Sequence, residues 1–126
     1  MVNFDGFKAS GGNPIYLQII YFVKRGIASG AIADGDEMPS RRVLSALLGI
    51  NPNTVQKAFR ALEDDGLIVS RSGAKSYVSA GPERIEALKS ELLKEDLLGM
   101  IDALRQSGVS LEEAIELIRA NWGNNI

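Results

Sequence analysis

Cysteine and histidine are both absent from this 126-residue chain. Their absence excludes thiol nucleophiles, disulfides, and thiolate or imidazole metal sites, and it removes the commonest general base near neutral pH. A chain without cysteine is compatible with a reducing compartment. Aromatics are few, and the lone tryptophan, Trp122, reads as an anchor near the C-terminus rather than the wall of a pocket. No apolar run approaches the roughly 18 residues that a membrane-spanning helix needs. The N-terminal MVNFDGFKAS has neither a basic segment nor an apolar one, so it does not read as a signal peptide. No nucleophilic triad, metal-ligand set or glycine-rich phosphate loop is present. The acidic run Glu63-Asp64-Asp65 lacks the rest of a coordination sphere. The expectation is a cytoplasmic chain that is not an enzyme, with no cofactor, no metal and no membrane partner.

Charge is unevenly placed. Residues 1–81 hold nine Lys/Arg against seven Asp/Glu, whereas residues 82–126 hold five against nine, so the net −2 conceals a +2 head and a −4 tail. Arg41, Arg42, Lys57, Arg60, Arg71 and Lys75 all lie in residues 39–81. Such asymmetry suits a basic head that meets a polyanion and an acidic tail that faces a partner.

Residues 1–12 are polar and contain glycine, and read as a flexible arm. Asn13-Pro14 then opens a helix, asparagine as N-cap and proline first in the helix. Ile15, Ile19, Phe22, Val23 and Ile27 form its apolar stripe, and Gly30 stops it. Asp34-Gly35 marks a turn, and residues 36–38 read as a short strand that joins a later hairpin. Ser40 caps a second helix whose expected buried face is Val43, Leu44, Leu47 and Leu48. Gly49 ends it, and Ile50 should plug the core at the turn. Asn51-Pro52 repeats the cap-plus-proline signal and opens a third helix running to about Asp65. Val55, Ala58, Phe59 and Leu62 face inward at intervals of three and four. Gly66 ends that helix. Leu67-Ile68-Val69 starts a strand, Ser72-Gly73-Ala74 turns the chain and Tyr77-Val78 returns it. Helix, tight turn, helix and hairpin make a winged helix-turn-helix, whose second helix enters the DNA major groove.

These residues resemble the DNA-binding head of the GntR transcription regulators. The resemblance rests on Pro39, Ser40, Arg42, Leu48-Gly49-Ile50, Thr54-Val55, Ala58-Phe59, Leu62, Gly66-Leu67-Ile68, Arg71, Gly73 and Tyr77-Val78. Pro14-Ile15-Tyr16 with Gln18-Ile19 is similar to that head's first helix. Gly49 to Val55 is most similar to the short-tailed, YtrA-like branch. Many relatives carry arginine where this chain has Pro52 and Gln56, and at the wing tip Lys75 and Ser76 replace a glycine and a threonine. The resemblance implies a bacterial regulator.

Residues 82–126 are too few for an effector domain that is stable alone. Pro82 starts a helix with Ile85, Leu88 and Leu92 on one face and Leu93, Leu97, Met100, Ile101 and Leu104 on another. Ser110-Leu111-Glu112-Glu113 is a capping box that opens a last helix lined by Leu111, Ala114, Ile115, Ile118 and Trp122. Two such helices leave apolar stripes wet unless a second copy covers them.

The fold expected is thus mainly α with a small β-wing: an arm (1–12), a winged helix-turn-helix head (13–81) and a two-helix dimerisation tail (82–126). The function expected is a sequence-specific, dimeric DNA-binding regulator, a repressor reading an inverted-repeat operator through helix 51–65 and wing 67–79. The competing reading is a winged helix that meets only protein. The residues expected at double-stranded DNA are Ser40, Arg41, Arg42, Asn51, Asn53, Thr54, Gln56, Lys57, Arg71, Ser72, Gly73 and Lys75. Those expected to hold the homodimer are Leu93, Leu97, Ile101, Leu104, Ile115, Ile118 and Trp122. The sequence leaves room for a small-molecule effector without indicating one.

Overall fold

Asn51 and Pro52 begin the helix around which the first part of the molecule is arranged. The Asn51 side chain accepts from the Asn53 N–H at 2.8 Å, and Pro52 follows at the first helical position, where its missing N–H costs nothing. The computed structural model describes residues 1–71 and 75–124. Its elements are α1 (Ile15–Ser29), α2 (Arg41–Leu48), α3 (Pro52–Asp64), β1 (Ile68–Ser70), β2 (Ser76–Val78), α4 (Pro82–Gln106) and α5 (Leu111–Asn121). The chain divides into two compact units, Met1–Lys89 and Ser90–Ile126.

In the first unit, α3 packs against α1, α2 and β1. Val55, Ala58, Phe59 and Leu62 are fully buried, as their spacing predicts, and they meet Ile19, Val23 and Ile27 of α1 in one core with Leu44, Met38, Leu67 and Ile68. Phe59 is the largest of these side chains, and its truncation to alanine would cost about 3–5 kcal/mol. β1 and β2 pair antiparallel with Ile68 opposite Val78 and Ser70 opposite Ser76. The expected third strand is present in brief. The Met38 N–H donates to the Ser76 carbonyl and the Val78 N–H to the Asp36 carbonyl, both at 2.8 Å, around a bridge between Glu37 and Tyr77.

Several expectations change. The arm does not hang loose at its start. The Val2 N–H donates to the Glu37 carbonyl at 2.8 Å, Phe4 is buried, and its ring stacks on Phe22 with centroids 5.0 Å apart. Aromatic burial outweighs the polar, glycine-containing composition that suggested freedom. At the start of α1 the cap position falls to Pro14 rather than Asn13. No side chain caps it, and Gln18 instead reaches back to donate to the carbonyls of Ser10 and Asn13. In α2 the buried positions are Leu44 and Ser45, while Val43 and Leu47 are 53% and 59% exposed. An eight-residue helix covers the core with barely one side chain per turn, so half of the expected stripe lies outside.

Gly49 closes α2 in the left-handed conformation (φ 66°), where a side chain would be strained. The Ser45 hydroxyl then donates to the Ile50 carbonyl at 2.6 Å, tying the turn to the helix before it; Ile50 is half-buried. The first unit runs eight residues beyond the boundary expected at Gly81, because Leu88 of α4 is buried within it.

In the second unit the capping box forms in full. The Ser110 hydroxyl accepts from the Glu113 N–H at 3.2 Å, and Glu113 reaches back to the Ser110 N–H. Among its described residues, Leu93 and Leu97 of α4 are more than half exposed or close to it, Ile101 and Leu104 are half-buried, Ile115 and Ile118 are each 38% exposed, and Trp122 is 83% exposed.

Candidate nucleic-acid interface

Burying one face of α3 fixes the other. With Val55, Ala58, Phe59 and Leu62 turned inward, Asn53, Gln56, Lys57 and Arg60 stand exposed on the outer face, and Thr54 is half-buried beside them. This is a polar row of amides and cations on a helix whose inner side is wholly apolar. Arg60 was not among the residues singled out for DNA, although its place four residues after Gln56 puts it on the same face.

Lys57 sends its ammonium over the Tyr16 ring of α1, 4.0 Å from the centroid. The ring holds the charge near the surface of α1 and restricts a long, otherwise mobile side chain. On the wing, the Arg71 N–H donates to the Lys75 carbonyl at 2.8 Å, extending the hairpin one pair past the strands. The Arg71 guanidinium lies 5.3 Å from the centroid of the Tyr77 ring, which gives this cation of the wing base a defined place. Ser72 and Gly73, also expected at the interface, lie outside the described residues.

Ser40 and Asn51 serve first as helix caps. The Ser40 hydroxyl accepts from the Val43 N–H at 3.1 Å, and Asn51 accepts from Asn53 as above. The first turn of α3 offers a phosphate no free N–H at residues 52–54: Pro52 has none, Asn53 is capped, and the Thr54 N–H already donates to the Asn51 carbonyl at 2.9 Å. Only the helix dipole remains to favour an anion there.

Arg41 and Arg42 separate cleanly. Arg42 is exposed at the start of α2. Arg41 instead turns to α3, donates to Glu63 at 2.8 Å, and places its guanidinium 5.0 Å from the centroid of the buried Phe59 ring. It is thus engaged within the head, between α2 and α3. Two residues of the acidic run have structural partners: Glu63 meets Arg41, and Asp65 pairs with Lys24 at 3.0 Å and with Arg84 at 3.5 Å. Sequence reading missed Glu63, Tyr16 and Tyr77 because each partner lies on a different element. Only the opposite charges of Arg41 and Glu63 hinted at a pair.

A recognition helix with a polar outer row, a preceding helix that presents one arginine, and a basic-based hairpin define a winged helix-turn-helix DNA-binding protein. Residues 15–78 match the family described as bacterial regulatory proteins, gntR family, and the chain belongs to it. It is 37% identical over 108 residues to the HTH-type transcriptional repressor YtrA of Bacillus subtilis, covering 84% of this chain and 82% of that one. It is 30% identical over 106 residues to the HTH-type transcriptional regulator YhcF of the same organism, covering 84% and 88%. Among solved structures, a GntR family transcriptional regulator from Listeria monocytogenes superposes with a TM-score of 0.80 at 28% identity, covering 89% of this chain and 98% of the other. The chain is therefore a DNA-binding transcription regulator, not an enzyme. No helix among its described residues is long and apolar enough to cross a membrane.

Proposed function

We propose that this protein is a dimeric repressor that reads an inverted-repeat operator, each head inserting the helix 51–65 into the major groove while the wing 67–79 follows the backbone. The observation that carries the reading is the exposed row Asn53, Gln56, Lys57 and Arg60 on α3, together with Arg42 at the start of α2 and Arg71 and Lys75 at the wing base, which are exposed as well. Amides present a donor and an acceptor together and suit adenine through N6 and N7, whereas arginine suits guanine. The expected operator thus carries A·T pairs opposite Asn53 and Gln56. Arg42 and the wing cations hold phosphates and set register without selecting sequence.

Dimerisation through residues 82–126 is supported by the apolar side chains left in water there, Leu97 and Trp122 foremost. Repression is supported by the name of the B. subtilis relative, a transcriptional repressor. A regulator of chromosomal DNA in a bacterium works in the cytoplasm. The test is selection of bound duplexes from random DNA, followed by gel shift on the enriched sequence and on a scrambled duplex of equal length. An enriched palindrome with A·T pairs in each half-site is the expected result. No enrichment would end the sequence-specific reading and leave only a protein-facing winged helix.

A further inference from the structure

The ion pair between Arg41 and Glu63 occupies a particular place. Arg41 is the first residue of α2, and Glu63 lies in the last turn of α3. At the other end of the same helix pair, the turn Gly49–Asn51 joins them covalently and the Ser45 hydroxyl fastens it to Ile50 at 2.6 Å. The pair therefore ties the open end of the helix-turn-helix. Each charge also sits at the end of its own helix that the macrodipole disfavours, a cation at the start of α2 and an anion at the end of α3. Neither gains from its own helix, and each gains from the other. The side chains are 28% and 34% exposed, the guanidinium lies over Phe59, and among the described residues the Arg41 Nε is buried without a hydrogen-bond acceptor. Leaving this place for a phosphate would break the ion pair and the ring contact together.

We infer that Arg41 and Glu63 are positioning residues for DNA recognition, setting the angle between α2 and α3 rather than touching DNA; this rests on the sequence-specific reading above. Arg42 at the start of α2 must reach a phosphate while Asn53 and Gln56 at the start of α3 meet base edges. Both demands depend on the angle between the two helices. Loosening that angle removes base contacts, which depend on direction, and spares phosphate attraction, which does not.

The sign of one substitution separates this from simple electrostatics. Glu63→Gln removes a negative charge from a protein that binds a polyanion, so charge alone would strengthen binding. The strut predicts the reverse: affinity for the enriched duplex falls about tenfold, affinity for the scrambled duplex does not fall, and the salt dependence keeps its slope. Arg41→Met, which keeps the packing on Phe59, shows the same loss at an unchanged slope. Combining it with Glu63→Gln adds little, because both break one interaction. Thermal unfolding of each variant checks the fold, and should Arg41→Met not fold, the isosteric Glu63→Gln decides alone. The inference is overturned if Glu63→Gln binds the enriched duplex as tightly as the parent or tighter, or if Arg41→Met lowers the salt slope by about one per head, as a lost phosphate contact would. A parent protein that enriches no duplex would instead overturn the sequence-specific reading on which the strut rests.

Discussion

Gln56 and Gly26 show how differently single residues act in this molecule. Gln56 is exposed on the outer face of α3, with its neighbour Val55 fully buried. Replacing it with alanine should leave stability unchanged and cost about 1–3 kcal/mol on the enriched duplex, with little loss on scrambled DNA. Equal losses on the two duplexes would show that Gln56 positions the head and reads no base. Gly26 has the opposite character. It lies inside α1, where alanine would ordinarily gain up to about 1 kcal/mol of helix propensity. A Cβ there would come within 2.8 Å of Ile32 Cγ1, and the Ile32 N–H is fixed to the Gly26 carbonyl at 2.9 Å, so the loop cannot simply swing away. Gly26→Ala should therefore lower the melting temperature, the overpacking cost of about 1–3 kcal/mol exceeding the propensity gain. A raised melting temperature would show that Ile32 gives way. Gly26 carries no signal in the sequence, because its contact lies on the loop beyond the helix end.

Among the elements, legibility followed the strength of local chemistry. Asn51-Pro52, Ser40, Ser110 and the glycines at 30, 49 and 66 mark termini through bonds and dihedrals that the residue itself makes, and these ends were read correctly. The apolar period of α3 was equally plain, since four residues at intervals of three and four admit one face. The period of α2 was not. In eight residues Val43, Leu44, Leu47 and Leu48 form a stripe as convincing as that of α3, yet the core accepts Leu44 and Ser45. The burial of Ser45 depends on a hydroxyl partner at Ile50 that only the folded turn creates. The arm was misread for the same reason, because Phe4 finds Phe22 only once α1 is in place. In the candidate site, the outer row of α3 follows from its inner row, whereas the inward turn of Arg41 follows from nothing local. One prediction belongs to this scale. Ser110→Ala removes half of the capping box and should destabilise α5 by about 0.5–2 kcal/mol. Hydrogen exchange should quicken at the α5 amides while those of α3 keep their protection, and uniform protection would mean that the box contributes nothing.

For the whole molecule, the proposed division of labour between head and tail can be measured through salt. If Arg42, Lys57, Arg71 and Lys75 each neutralise a phosphate, a dimer makes about eight such contacts and log K should fall with log salt at a slope of about −7. That corresponds to roughly four orders of magnitude in affinity between 50 and 200 mM salt. Arg41 is left out of the count because Glu63 already neutralises it at 2.8 Å. The tail enters through the same slope. A chain ending at Gly81 would strip Leu88 from the core of the first unit, so the informative truncation ends at Lys89, where that unit closes. It should sediment as a folded monomer, bind a single half-site with about half the slope, and lose most of its affinity for the full palindrome, since two heads no longer share a tether. A truncated chain that still sediments as a dimer would place self-association in the head and leave the exposed Leu97 and Trp122 without that role. An unchanged slope would mean that one head makes all the phosphate contacts, which is incompatible with two heads reading an inverted repeat.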